Sequence, residues 1–194
     1  VARGARGPKA KLRGSLQLFA LLEVGLTGRG ELKTLTHADL VAPSPSLNAE
    51  RVLYGWYLNE LLLRLLARED PHPVLFAAYA RAIEALIGEE ADAALRRFEW
   101  TLLHELGFGL AALPDHEEGH WAWTPGGEWQ AASPEHGVAT STLAALTNEA
   151  VTMSALQCIE ARRLLKPMLE QALGGRPLAT SRLMREFRAR ARSA

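Results

Sequence analysis

At Leu47 the apolar residues of this chain change their spacing, and no other feature narrows its possible folds as much. Before that point comes an apolar run, LQLFALLEVGL (16–26), then a turn, TGRG, then a stretch in which Leu32, Thr34 and Thr36 alternate with Lys33, Leu35 and His37. Two strands joined by a glycine-containing turn are expected there, because side chains on a strand alternate between faces. After it, Val52, Leu53, Trp56, Tyr57, Leu61, Leu65 and Leu66 recur at steps of three and four, which puts them on one side of a helix. The same spacing predicts helices over 73–87 and from about Ala91 to Leu106, with Asp70-Pro71-His72-Pro73, Gly88 and Gly107 as stops. Helices are predicted again from near Thr142 and from Ser154, the latter kinked or divided by Pro167. LGGRP at 173–177 ends it, and a last basic helix covers about 181–191. APSPS at 42–46 reads as a linker. The expected class is mainly α: a short β segment over 1–43, then an all-helical domain over 44–194.

Residues 108–137 break the helical pattern with prolines, glycines and three tryptophans. An irregular insert is expected, or a small hairpin made of WAW and EWQA around Pro125-Gly126-Gly127. It contains His116-Glu117-Glu118-Gly119-His120, which fits the H-E-x-x-H pattern of zinc peptidases. That chemistry needs a helix, so that both histidines reach one metal, and a third protein ligand. Pro114, Gly119 and the following Trp121, Trp123 and Pro125 argue against a helix, and spacing supplies no third ligand. The expectation is a solvent-exposed loop with no catalytic metal. There is no G-x-S-x-G, no P-loop and no dinucleotide fingerprint, so no catalytic residue is assigned and no enzyme is expected. Cys158, on an apolar helix face, reads as a small core residue, and His104 as a helix-surface or boundary residue.

Charge is unevenly laid out. Residues 1–43 carry seven Lys/Arg against three acids, residues 44–175 nine against eighteen, and residues 176–194 six against one. Basic ends around an acidic middle suggest an anionic partner at the termini, with charged, merely solvated ends as the alternative. One cysteine excludes an intrachain disulfide and a cysteine zinc site, and favours a reducing cytoplasm. No apolar run approaches the ~20 residues of a membrane-spanning helix. The chain begins at Val1 rather than Met, as a fragment would.

Four stretches together resemble the RecO family of bacterial recombination and repair proteins. They are VARGARGPKAKLRGSLQLF (1–19), GRGELKTLTHADLV (28–41), YLNELLLRLL (57–66) with LRRFEWTLLHELGFG (95–109), and LLKPMLEQALGGRPLATSRLMREF (164–187). The resemblance implies a non-catalytic recombination mediator with an N-terminal OB-fold and a C-terminal helical domain. It implies binding of single- and double-stranded DNA, annealing of complementary strands, recognition of the C-terminal tail of single-stranded-DNA-binding protein (SSB) and, with RecR, help for RecA to load on SSB-coated DNA. A bacterial, nucleoid-associated cytoplasmic location goes with it. The sequence departs from the family in two ways. Residues 1–43 offer only the later part of a five-stranded OB-fold, so the barrel would be partial. Some members hold a cysteine zinc site after LGFG, whereas 108–137 contain no cysteine; no structural zinc or other cofactor is expected, with Trp121, Trp123 and Trp129 supplying apolar packing instead.

Candidate sites follow. Arg3, Arg6, Lys9, Lys11 and Arg13 sit on a glycine-containing arm suited to a phosphate backbone, and Arg29 and Lys33 extend it. The basic C-terminal helix, with Arg182, Arg185, Arg188, Arg190 and Arg192, is a second candidate. An acidic tail ending in an apolar residue needs a hydrophobic pocket rimmed by cations. Arg96 and Arg97, beside Leu95 and Phe98, are the expected rim, one at the edge of the apolar stripe and the other facing water. Arg162, Arg163 and Lys166 form a competing cluster. The rival to the whole scheme is a helical protein–protein interaction module that does not touch DNA.

Overall fold

The computed structural model describes residues 16–30, 32–108, 118–124 and 126–192. Arg3, Arg6, Lys9, Lys11, Arg13 and His116 lie outside the described residues. The chain divides into two compact units, Val1–Ser46 and Leu47–Ala194.

In the first unit β1 (Leu21–Thr27) pairs antiparallel with β2 (Thr34–Ala42). Strand pairing starts at Leu21, five residues into the apolar run. Gly28 and Gly30 hold φ of 117° and 84° in the turn, a region that L side chains rarely adopt. Gly25 faces His37 across the ribbon, and a Cβ there would come within 2.1 Å of the imidazole. Val24, Leu26, Leu40 and Val41 are exposed on the ribbon.

The second unit is helical. Its described helices are α1 (Ala49–Leu65), α2 (Pro73–Ala85), α3 (Ala91–Glu105), α4 (Thr140–Thr147), α5 (Ala155–Ala172) and α6 (Ala179–Arg192). Asn48 caps α1 by accepting the Arg51 amide at 2.9 Å, and Pro73 opens α2 where its missing N–H costs nothing. α3 is buried on most of its circumference and packs against α2, α4 and α5. Phe98, Leu102 and Leu103 on it meet a core that includes Leu58, Leu61, Leu75, Leu86, Leu143 and Leu165.

The insert forms a three-stranded sheet in the order β4–β3–β5, from β3 (His120–Trp123), β4 (Trp129–Ala131) and β5 (Val138–Ala139). The expected hairpin is present, with Trp123 opposite Trp129 and their rings edge-to-face at 5.1 Å. The short third strand is too brief for its sequence to announce it.

Two expectations change. Pro167 does not divide α5, which runs unbroken from Ala155 to Ala172. Proline removes one helical N–H, but Ala161, Leu164, Leu165, Met168 and Leu169 on both sides of it are buried and hold the helix in place. α6 starts at Ala179 rather than 181, because a carboxylate from α1 caps it there. Between them Gly174 and Gly175, at φ 61° and 71°, stop α5, with the Gly175 amide donating to the Glu170 carbonyl at 2.9 Å. Among the described residues no helix is long and apolar enough to cross a membrane.

Candidate functional site

Four helical stripes converge on one cavity of about 580 Å³ in the second unit. α3 presents Asp92, Leu95, Arg96 and Glu99, which fall at i, i+3, i+4 and i+7, one face of a helix. α6 presents Ser181, Met184, Arg185 and Arg188 at the same spacing. α5 gives Arg162, Lys166 and Leu169, with Leu173 just after it, and α1 gives Tyr54 and Tyr57. Leu178, on the segment leading into α6, completes the apolar wall.

The cavity has the opposite sign to its surroundings. Arg96, Arg162, Lys166, Arg176, Arg185 and Arg188 line it against Asp92, Glu99 and Glu170, whereas the rest of residues 47–194 carries nine Lys/Arg against sixteen Asp/Glu. Cations around apolar walls in an acidic domain suit a ligand both anionic and apolar.

Its most buried polar group is an ion pair. Glu99 is 1% exposed and Arg96 8%. Arg96 Nη2 lies 2.8 Å from Glu99 Oε1, and Tyr57 Oη donates to the same oxygen at 2.6 Å. Burial raises the Glu99 carboxyl, against the opposing pull of Arg96 and of the Tyr57 hydroxyl. Burial, and then the charge of Glu99, push the Tyr57 phenol well above its ordinary range. Among the described residues Arg96 Nε and Glu99 Oε2 have no hydrogen-bond partner. At the mouth Arg188 Nη2 donates to Tyr54 Oη at 2.8 Å, and Lys166 is mostly exposed, 3.8 Å from Glu170.

The two arginines that sequence set side by side part company. Arg96 is buried and Arg97 half-buried. Arg96 lines the cavity, while Arg97 turns about 100° away and donates to the carbonyls of Ala145 (3.1 Å), Asn148 (3.4 Å) and Val151, closing the C-terminal end of α4. The competing cluster splits in the same way. Arg162 and Lys166 line the same cavity as Arg96, whereas Arg163 donates to the carbonyls of Glu135 (2.8 Å), Pro134 (3.3 Å) and Gly137 and so pins the turn before β5. Sequence spacing missed Tyr54, Tyr57, Arg176 and the part that Arg185 and Arg188 play here. The i, i+3, i+4, i+7 run on α6 was the available signal.

Other sequence candidates stand elsewhere. Arg29 is exposed in the β1–β2 turn and Lys33 is half-buried just before β2. His120 begins strand β3, so the second histidine of the H-E-x-x-H match is not on a helix. Among the described residues no three His, Cys, Asp or Glu side chains gather closely enough to hold a metal. His104 is exposed and Cys158 partly exposed.

Residues 47–113 match the family model described as "Recombination protein O C terminal". The chain is 35% identical to a DNA repair protein RecO of Azoarcus sp. over 202 residues, covering 96% of this chain and 83% of that protein. It is 42% identical to the DNA repair protein RecO of Alkalilimnicola ehrlichii, covering 96% and 78%. Identity to the DNA repair protein RecO of Halorhodospira halophila is 37%, covering 97% and 84%.

Proposed function

The chain belongs to the RecO family of bacterial DNA repair proteins, and on that premise we propose that it is a non-catalytic recombination mediator whose helical unit takes the C-terminal tail of SSB in the cavity between α1, α3, α5 and α6. The observation that carries this is the cavity itself: apolar walls from Leu95, Leu169, Leu173, Leu178 and Met184, edged by six cations in an otherwise acidic unit. A short acidic tail ending in an apolar residue with a free carboxylate is complementary to it. Arg96, at depth, is placed for the terminal carboxylate. Lys166, Arg185 and Arg188, nearer solvent, are placed for the acidic side chains upstream. Arg97 has no part in this scheme.

In the same reading residues 1–43 are the later part of an OB-fold. Arg3, Arg6, Lys9, Lys11, Arg13, Arg29 and Lys33 follow the phosphates of single- or double-stranded DNA without reading sequence. Tail recognition brings the protein to SSB-coated DNA in the bacterial cytoplasm, where it anneals strands and, with RecR, helps RecA to load.

Fluorescence anisotropy with a labelled acidic peptide ending in a free apolar residue tests the pocket. Lys166→Ala, an exposed substitution, and Arg96→Lys, which keeps the charge but loses the planar fork, should each weaken binding by about 1–3 kcal/mol. Affinity for single-stranded DNA should stay nearly unchanged. Equal binding of the peptide and its C-terminal amide would refute the assignment.

A further inference from the structure

A carboxylate in the wall of a pocket for anions calls for a reason. Glu99 is almost wholly buried, yet it lines a cavity edged by six cations. Its Oε1 accepts the Tyr57 hydroxyl at 2.6 Å and lies 2.8 Å from Arg96 Nη2, its ion-pair partner. Its Oε2 has no partner among the described residues, and neither has Arg96 Nε. A buried acceptor left without a donor is costly, and a buried ion pair is a poor source of stability compared with apolar side chains of similar volume. Stability of the core therefore does not account for Glu99. A donor brought by a ligand would satisfy that oxygen.

The terminal residue of a peptide supplies one. Its carboxylate accepts hydrogen bonds, and its own backbone N–H, on the next atom but one from the carboxyl carbon, donates one. Arg96 and Glu99 stand one helical turn apart on the same face of α3, a cation and an acceptor side by side. The phosphodiester of a nucleic acid presents acceptors alone and would meet the charge of Glu99 with nothing to offer it. Resting on the tail-binding reading above, we propose that Glu99 is a specificity-determining residue: its Oε2 accepts the N–H of the last residue of the bound peptide while Arg96 takes the terminal carboxylate. The pocket thereby selects a peptide C-terminus and rejects the phosphates of DNA, although its cations would attract both. Tyr57 is a positioning residue, which by holding Oε1 leaves Oε2 as the acceptor.

The test uses the full chain at mildly alkaline pH and two labelled acidic peptides that end in leucine, one of them N-methylated at its last peptide bond. The wild-type protein should bind the methylated peptide about tenfold more weakly, the factor expected for one charge-assisted hydrogen bond. Glu99→Gln, which turns an amide donor toward the ligand, should bind the two peptides equally. Dimethyl phosphate and a short single-stranded oligonucleotide should displace the peptide from Glu99→Gln at several-fold lower concentration than from the wild type. If the wild type binds both peptides equally, Glu99 does not read the N–H, and the proposal fails whether or not the variant folds. If methylation weakens both proteins alike, or dimethyl phosphate competes equally with both, the proposal also fails while the tail-binding reading stands. If the unmethylated peptide does not bind the wild type at all, both fall.

Discussion

Arg96 and Arg97 are neighbours in sequence and do unrelated work. Arg96 shares a buried carboxylate with Tyr57 on the cavity wall, while Arg97 supplies donors to the carbonyls of Ala145, Asn148 and Val151. The last carbonyls of a helix have no partner within it, and a guanidinium with five N–H groups can serve several at once. Arg97→Ala is expected to lower stability to denaturant by about 1–3 kcal/mol and to leave binding of an acidic peptide unaltered. Loss of peptide affinity at unchanged stability would place Arg97 in the pocket after all. The adjacent pair was legible in LRRFE as the cation source for the site. Which of the two turned inward was not, because that depends on where α4 and α5 lie beside α3.

α6 shows how an element can be specified from far away. Its own sequence offers weak reasons to begin at Ala179. Glu60 of α1 supplies the reason, accepting the amides of Ala179 and Thr180 at 2.9 Å each and the Thr180 hydroxyl at 2.7 Å, while Arg64 stands 3.0 Å off. A carboxylate at a helix N-terminus also meets the positive end of the macrodipole. For the Glu60 carboxyl, burial alone would raise its pKa; the Thr180 amide and hydroxyl and the Ala179 amide outweigh that and lower it below the usual 4.5. A lowered carboxylate contributes stability that is present above 4.5 and is lost as pH falls through the folded value. Acidification should therefore loosen α6 ahead of the rest of the helical unit, seen as faster amide exchange over 179–192 while α3 stays protected. Glu60→Gln should loosen α6 already at neutral pH and flatten that pH dependence. Since α6 forms one wall of the cavity, peptide affinity should fall along with it. Uniform exchange across α3 and α6 in acid would count against a local cap. By contrast the start of α5 was legible in sequence: Ser154 and Gln157 form a reciprocal capping box, with bonds of 2.9 and 3.2 Å, within four residues.

The whole molecule joins a β-ribbon unit and a helical unit, and the two are expected to divide the ligands. Replacing Arg3, Arg6, Lys9, Lys11 and Arg13 together by alanine should weaken DNA binding for all sequences alike and flatten the dependence of log affinity on log salt, since fewer counterions are released. Peptide binding should not change. An unaltered salt slope would remove the arm from the DNA site and shift attention to Arg182, Arg185 and Arg190 on α6, which are exposed. By itself the sequence determined the mainly α class, the helices, the stops at Gly107 and Gly174-Gly175, the tryptophan hairpin and the family. These are local matters, set by the conformation of a few consecutive residues and by the order of recognisable segments. Only the tertiary structure decided that Tyr57, Arg96, Arg162, Lys166 and Arg188 share one cavity, that Arg97 and Arg163 serve backbone carbonyls, and that α5 continues through Pro167. Helical periodicity marks which side of a helix is apolar and leaves open what will cover it. A pocket edge belongs to several helices at once, and the Glu60–Thr180 cap spans 120 residues of chain that only folding brings together.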